Sequence, residues 1–225
     1  MPIKIISNKE NLQVIYEDNH IIAINKRVGD IVQGDQTGDT PLSEVVKQYI
    51  AEKYNKPGNV FLGVAHRLDR PTTGIIVFAR TSKALSRMNE QFREKKVQKT
   101  YWAVVDNAPP NSSGTLDNHL QKNQKQNKSY VTKTDGGKHA VLEYKLIKKL
   151  DNFYHLEIKP KTGRHHQIRV QLANIGCIIK GDLKYGSKRS NPDGGIHLHA
   201  VKIEFEHPVK KEPVLVKAPL PNDTL

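Results

Sequence analysis

The chain has 225 residues, and its 36 lysines and arginines against 23 aspartates and glutamates give a formal net charge of +13. This excess favours a polyanionic partner, nucleic acid before an anionic membrane, and no apolar run reaches the length that spans a bilayer. The only cysteine, Cys177, excludes an intramolecular disulfide. We therefore expect a soluble cytoplasmic protein without a membrane partner, folded as a single domain over residues 1–225.

The first predicted elements are a hairpin and a helix. Two apolar segments, residues 12–16 and 21–24, flank a short polar turn and predict two antiparallel strands. Thr40 followed by Pro41 is typical of a helix start, with Thr40 as the capping residue. Helical spacing predicts the buried face of this helix, which comprises Leu42, Val45, Val46, Tyr49 and Ile50.

A strand, a helix and a second strand are predicted next. The continuous apolar run 74–79 predicts a central strand. The helix that follows would take Thr81 or Ser82 as its cap. Residues 97–105 then alternate in a way that places Tyr101 in the middle of a strand. A buried core aromatic is the alternative interpretation of Tyr101.

The remaining chain is richer in strand signals. The polar region 107–137 predicts an insertion of hairpins that could contact nucleic acid. Its basic run at residues 122–128 has a solvated loop as the alternative interpretation. Alternating residues predict strands at 141–146 and 154–158, and a third helix would end at Gly176. Together these elements predict an α+β fold, with a mainly antiparallel mixed sheet and flanking helices.

Residues 66–74 combine a carboxylate with basic side chains. Arg67 and Arg70 flank Asp69 on the loop that enters the predicted central strand. Surrounding cations favour the ionised form of a carboxylate, which can act as a nucleophile, and arginines bind phosphates or stack on bases. A structural ion pair on a loop would show the same pattern. A kinase catalytic loop is excluded because the chain lacks the glycine-rich loop and the Asp-Phe-Gly element.

Residues 161–169 form a second basic motif, punctuated by a glycine. Arg164 would lie near the start of the third helix, where backbone N–H groups favour anions. A solvated basic helix face is the alternative. We expect no metal site, because adjacent residues such as His165 and His166 diverge on a helix, and because His197 and His199 lack an accompanying carboxylate or cysteine cluster.

Taken in order, five segments resemble the RluA family of RNA pseudouridine synthases. They are residues 12–26, 66–74, 92–104, 162–186 and 197–200. Five ordered matches are far more specific than either basic motif alone. The positions that depart from the family pattern are Arg27, Thr73, His165 and Gln171.

The resemblance implies an isomerase that detaches the uracil of an RNA uridine, turns it and rejoins C5 to the ribose. Asp69 would be the catalytic carboxylate, Arg164 would pair with it, and Tyr101 would stack on the uracil. The target nucleotide would have to leave its stack. The residues implied in RNA binding are His66, Arg67, Arg70, Thr73, His166 and Arg169. No cofactor and no metal are implied.

The resemblance leaves the target open between ribosomal and transfer RNA. We expect a monomer without a separate N-terminal RNA-binding module. A non-catalytic RNA-binding or assembly protein on the same fold is the rival hypothesis, although binding alone would not need the set Asp69, Tyr101 and Arg164. A hydrolase acting on a nucleoside or phosphoester is weaker, because neither motif offers a second acid–base group or a metal site.

Overall fold

A computed structural model describes residues 5–133 and 136–221, which form an α+β fold as predicted. The helices are α1 (Leu42–Lys53), α2 (Ser82–Arg93) and α3 (Gln167–Asn174). The strands are β1 (Val14–Glu17), β2 (Ile21–Lys26), β3 (Gly63–Val64), β4 (Thr73–Ala79), β5 (Gln98–Val105), β6 (Ser113–Asn123), β7 (Lys128–Thr132), β8 (Lys138–Lys149), β9 (Tyr154–Pro160), β10 (Leu198–Glu206) and β11 (Pro213–Lys217).

These elements belong to two compact units. The first takes in the described residues up to Val97 and again from Ala200 onward, and the second takes in Gln98–His199. The single domain expected from the sequence stays a prediction. Within the described ranges, no helix is both long and apolar enough to cross a membrane.

The first unit is built on a sheet in which β2 lies antiparallel to β1 on one side and to β4 on the other. β3 pairs with β4, and β11 with β10. Ile21 and Ile75 face a cluster that includes Met88 of α2. Their neighbours Ile22 and Ile76 face a second cluster, covered by α1. The apolar runs of β2 and β4 are therefore continuous because both faces of these strands are buried.

The start of α1 differs from the prediction. Its N-cap is Pro41, and within the described chain no side chain caps the helix. The amides of Leu42 and Ser43 instead donate to carbonyls of the preceding loop, those of Ile31 (2.7 Å) and Val32 (3.3 Å). Thr40 was therefore the wrong cap, because backbone carbonyls already satisfy the first N–H groups. For α2 the prediction is confirmed, since Thr81 accepts a hydrogen bond from the amide of Ala84 (3.1 Å).

The second unit is an antiparallel sheet with the strand order β5-β9-β8-β6-β7. β6 and β7 form the hairpin predicted within region 107–137, of which residues 134 and 135 lie outside the described residues. Val170 of α3 packs against Leu120 of β6 and Ala140 of β8.

The only cysteine of the chain, Cys177, follows the end of α3. Gly176 has a φ of 79° and follows the C-cap residue, as predicted for a helix end. The amide of Cys177 then donates to the carbonyl of Leu172 (3.0 Å). The thiol is fully buried, and desolvation raises the pKa of Cys177 to about 11.

Candidate active-site segments

Asp69 lies in the first unit, on the loop between β3 and β4, and its side chain is partly exposed. The amide of Thr72 donates to the backbone carbonyl of Asp69 (3.0 Å), which closes a turn immediately after the carboxylate. Arg67 is exposed. Arg70 forms an ion pair with Asp39. The loop therefore presents a carboxylate and an arginine to solvent within three residues.

A buried lysine fixes the backbone of this loop. Lys26, at the end of β2, is 1% exposed. Its ammonium donates to the carbonyls of Arg27 (2.9 Å), Arg70 (3.1 Å) and Thr72 (2.8 Å). The amide of Gly29 also donates to the carbonyl of Arg70 (3.0 Å). Charge-assisted hydrogen bonds of this kind are stronger than neutral ones, so the backbone after Asp69 is held in one position.

The basic motif at residues 66–74 ends at a position that requires a glycine. Gly74 has a φ of 109°, and a Cβ atom there would lie 2.4 Å from the carbonyl oxygen of Ala200. Side chains are excluded both by the left-handed backbone and by this approach to β10. At the motif's start, the amide of Val77 donates to Nε2 of His66 (2.9 Å). His66 therefore supports β4, and this contact favours a structural role for it.

In the second unit, Tyr101 lies in the middle of β5, as predicted, and its side chain is buried, as the alternative interpretation of a core aromatic also requires. Lys99 precedes it on the same face of the strand. A Cβ atom on Gly163 would lie 3.8 Å from Nζ of Lys99, so the turn that carries Arg164 runs beside this lysine. Desolvation lowers the pKa of Lys99 below its ordinary value of 10.5.

The lowered pKa of Lys99 predicts a pH-dependent stability. Between the folded-state pKa and 10.5 the unfolded chain binds more protons than the folded chain, so the free energy of unfolding should rise with pH in that interval. Urea unfolding across alkaline pH measures this slope. In Lys99→Met the contribution should be missing, and a variant that keeps the full slope would contradict the assignment to Lys99.

Side-chain amide contacts shape the turn that carries Arg164. Oε1 of Gln167 accepts the amide of Arg164 (3.0 Å) and the hydroxyl of Thr162 (2.7 Å). Nε2 of Gln167 donates to the carbonyl of Val141 (3.0 Å). The exposed Arg164 donates through Nε to the carbonyl of His139 (2.8 Å). Arg164 thus precedes α3 closely, as predicted, and one edge of its guanidinium is anchored to β8.

His165 and His166 do not diverge, contrary to the sequence-based argument. They precede α3 instead of lying on it, and their rings stack with centroids 3.8 Å apart. Nδ1 of the buried His166 lies 3.0 Å from the hydroxyl of Tyr185. Over residues 5–133 and 136–221, three or more His, Cys, Asp or Glu side chains nowhere converge as metal ligands would.

Arg169 has an internal partner. Its Nε and Nη2 atoms donate to the two carboxylate oxygens of Asp182 at 2.7 and 2.8 Å, and both side chains are buried. The bidentate geometry occupies the Nε–Nη2 edge of the guanidinium, one of the two edges that can bind a phosphate. This favours a structural role for Arg169 over the RNA contact expected from the sequence.

The structure places the predicted residues in two groups. The first unit holds His66, Arg67, Asp69, Arg70 and Thr73. The second unit holds Tyr101, Arg164, His166 and Arg169. The sequence analysis missed the residues that fix these segments. Lys26 could have been noticed as a charged residue at the end of an apolar strand. Gln167 could have been noticed because it lies inside the second basic motif.

Comparison with known proteins gives consistent matches. The family model described as RNA pseudouridylate synthase matches residues 20–174. An uncharacterised RNA pseudouridine synthase of Bacillus subtilis is 32% identical over 222 residues, which cover 97% of this chain and 72% of that relative. Ribosomal large subunit pseudouridine synthase C of Vibrio vulnificus is 34% identical over 213 residues, 92% of this chain and 65% of that relative.

The fold also matches a solved structure. Human RNA pseudouridylate synthase domain containing 4 superposes with a TM-score of 0.77 at 24% identity, covering 93% of this chain and 89% of that chain. The family match spans more than half of the sequence, and the Bacillus subtilis relative is similar along nearly all of it. The chain therefore belongs to the RluA family of RNA pseudouridine synthases, isomerases that convert uridine in RNA to pseudouridine.

Proposed function

We propose that this chain isomerises uridines of large-subunit ribosomal RNA, with Asp69 as the reactive carboxylate. The observation that carries the proposal is the fixed loop, in which the buried ammonium of Lys26 holds the carbonyls that follow Asp69. Such fixation places a reactive group precisely before substrate arrives, which is a large part of catalysis. The ribosomal target is supported by the name of the Vibrio vulnificus relative.

The reaction requires only a positioned carboxylate and proton transfers. The C–N bond between ribose and uracil breaks, the uracil turns, and a C–C bond forms between C5 and the ribose. The hydrogen on C5 leaves as a proton, and N1 of the turned ring gains one. Asp69 would either add to the ribose carbon or remove a sugar proton, and both routes are compatible with a carboxylate. Tyr101 and Arg164 are the proposed catalytic residues of the second unit.

RNA containing uridine tritiated at C5 tests the reaction and the substrate together. Tritium should be released from a large-subunit ribosomal transcript and not from transfer RNA transcripts at equal concentration. RNA binding without release would favour the non-catalytic rival. Release from transfer RNA alone would contradict the ribosomal target while leaving the reaction in place.

We also propose that the protein acts as a monomer in the cytoplasm. Light scattering of the full chain with and without RNA, and cell fractionation, test these two points. A stable dimer would overturn the first, and recovery in a membrane fraction would overturn the second.

We expect different residues to determine the RNA affinity and the single-turnover rate. The exposed Lys122 and Lys125 lie at the tip of the β6–β7 hairpin. If they contact phosphates, the double Ala variant should reduce the slope of log affinity against log salt by about 1.4, roughly 0.7 for each lost contact to single-stranded RNA. Its single-turnover rate on bound RNA should remain near wild type. Arg164→Ala should do the reverse, with a large loss of rate and a modest loss of affinity.

Lys47→Ala is the matched control for the hairpin lysines, because Lys47 is bound to Glu44 on α1 (2.8 Å). Its salt slope should equal that of the wild type. If Arg164→Ala weakens binding without slowing the single-turnover rate, Arg164 is only a phosphate contact and leaves the proposed catalytic set.

A further inference from the structure

A buried serine of the β6–β7 hairpin contacts the turn that carries Arg164. Ser129 of β7 is 2% exposed. Its hydroxyl donates to the backbone carbonyl of His165 (2.7 Å), and its Oγ also lies 2.9 Å from Nδ1 of the same residue. The hairpin therefore holds both the backbone and the side chain of the residue next to Arg164.

These two contacts position the His165 ring. The Oγ atom of Ser129 lies within hydrogen-bond distance of both the carbonyl oxygen and Nδ1 of His165. One small side chain thus holds both the backbone and the ring of a residue that also stacks on His166.

Tyr185 contacts both Ser129 and His166 and so restrains the two segments that the serine connects. Its hydroxyl accepts the amide of Ser129 (2.9 Å) and lies 3.0 Å from Nδ1 of His166. Nζ of Lys128 and Cζ of Arg169 lie 5.1 and 5.2 Å from the centre of its ring, within the range of cation–π attraction. Tyr185 therefore holds the backbone of Ser129, while the hydroxyl of Ser129 contacts the turn.

The turn needs such support because its backbone is strained. His166 has a φ of 53°, in the left-handed region, and no side chain in the described ranges caps α3 at this position. For a residue with a Cβ atom that conformation is unfavourable, because Cβ comes close to the following carbonyl oxygen. Hydrogen bonds to His165 and His166 offset this cost and keep the Arg164 turn in one geometry.

We propose that Ser129 is a positioning residue for the isomerisation, acting through His165 on Arg164. This inference rests on the proposed function, in which Arg164 is catalytic. It gives the hairpin a second role besides any contact of its lysines with RNA. The hydroxyl, rather than the charge of the hairpin, would carry this role.

Amide hydrogen exchange tests the positioning independently of activity. The amides of Arg164 and Gln167 are hydrogen-bonded within the turn. In Ser129→Ala their exchange should accelerate about 30-fold, equivalent to roughly 2 kcal/mol at 1.4 kcal/mol per factor of ten, because two hydrogen bonds to the turn are lost. Exchange in α2 should not change.

Single-turnover tritium release tests the consequence for chemistry. Ser129→Ala should lower the rate on bound RNA on the order of 10- to 100-fold, the scale of a small misplacement of a catalytic group, with an unchanged RNA dissociation constant. Thr132→Val is the matched control on the same strand, because its buried hydroxyl has no hydrogen-bond partner among the described residues. That variant should behave like the wild type.

The outcomes separate this inference from the proposed function. If Ser129→Ala matches Thr132→Val in both exchange and rate, the positioning role is overturned. If exchange accelerates but the rate is unchanged, Ser129 supports only the fold, and the inference is equally overturned. If the wild type releases no tritium from any RNA, the proposed function fails, and the positioning role that rests on it falls for that separate reason.

Discussion

Asp69→Asn is expected to abolish pseudouridine formation while the fold and the RNA affinity are retained. Asparagine has the shape of aspartate but carries no negative charge, so it can neither attack the ribose nor accept a proton from it. The loss of rate should be on the order of ten thousandfold or more, as for other essential groups of an active site. The side chain of Asp69 is partly exposed, and Lys26 and Gly29 hold the loop through its backbone carbonyls, so we expect little effect on folding.

Single-turnover tritium release, circular dichroism and RNA titration together measure this result. Asp35→Asn is a suitable control, because it makes the same chemical change at an exposed position of the first unit. The control should retain the wild-type rate. An Asp69→Asn protein that keeps more than about a tenth of the rate would remove Asp69 from the proposed mechanism.

Lys26→Met should cause the largest loss of stability among single changes near the Asp69 loop. Methionine fills most of the volume of lysine but offers no donor to the carbonyls of Arg27, Arg70 and Thr72. The carbonyl of Arg70 would keep the amide of Gly29 as a donor, whereas those of Arg27 and Thr72 would lose the ammonium. A buried acceptor left without a partner costs about 1–3 kcal/mol. Relief of the desolvation of a buried charge offsets part of that sum. We expect a net loss of about 3 kcal/mol, a large share of the stability of an ordinary domain.

Urea unfolding measures the free energy of unfolding of each variant, provided that its dependence on urea concentration has the same slope in both. Lys47→Met removes an ammonium from the surface of α1 and should change the free energy of unfolding by no more than about 0.5 kcal/mol. Equal midpoints for the two variants would mean that Lys26 does not hold the loop. Loosening of the loop in Lys26→Met should also slow tritium release by the folded fraction.

Local patterns in the sequence predicted most elements because each pattern reflects a local physical requirement. The apolar run 74–79 became β4, which is buried on both faces. Alternation around Tyr101 became β5, and Gly176 ended α3 in the left-handed conformation that glycine allows. The hairpin within region 107–137 was predicted only from the polar composition of that region, which is rich in Asn, Lys, Gln and Gly.

Predictions failed where the partner of a group lies far along the chain. Thr40 is a good capping residue, but the carbonyls of Ile31 and Val32 had already satisfied the first amides of α1. The stacking of His165 and His166 depends on a turn held by Ser129, 36 positions away, and no local pattern encodes that contact. Hydrogen-bond partners at such distances are set by the folded topology, so they become visible only in the structure.

The reactivity of the buried thiol of Cys177 can be used to measure local unfolding of this protein. Only the thiolate attacks disulfide reagents, and with the pKa of Cys177 near 11 almost none is present at neutral pH in the folded state. Labelling of Cys177 must therefore wait for the chain after α3 to detach, so the labelling rate reports that opening equilibrium. Because no other cysteine competes, the unmodified sequence allows the local stability at the C-terminal end of α3 to be followed with and without RNA, with no engineered label.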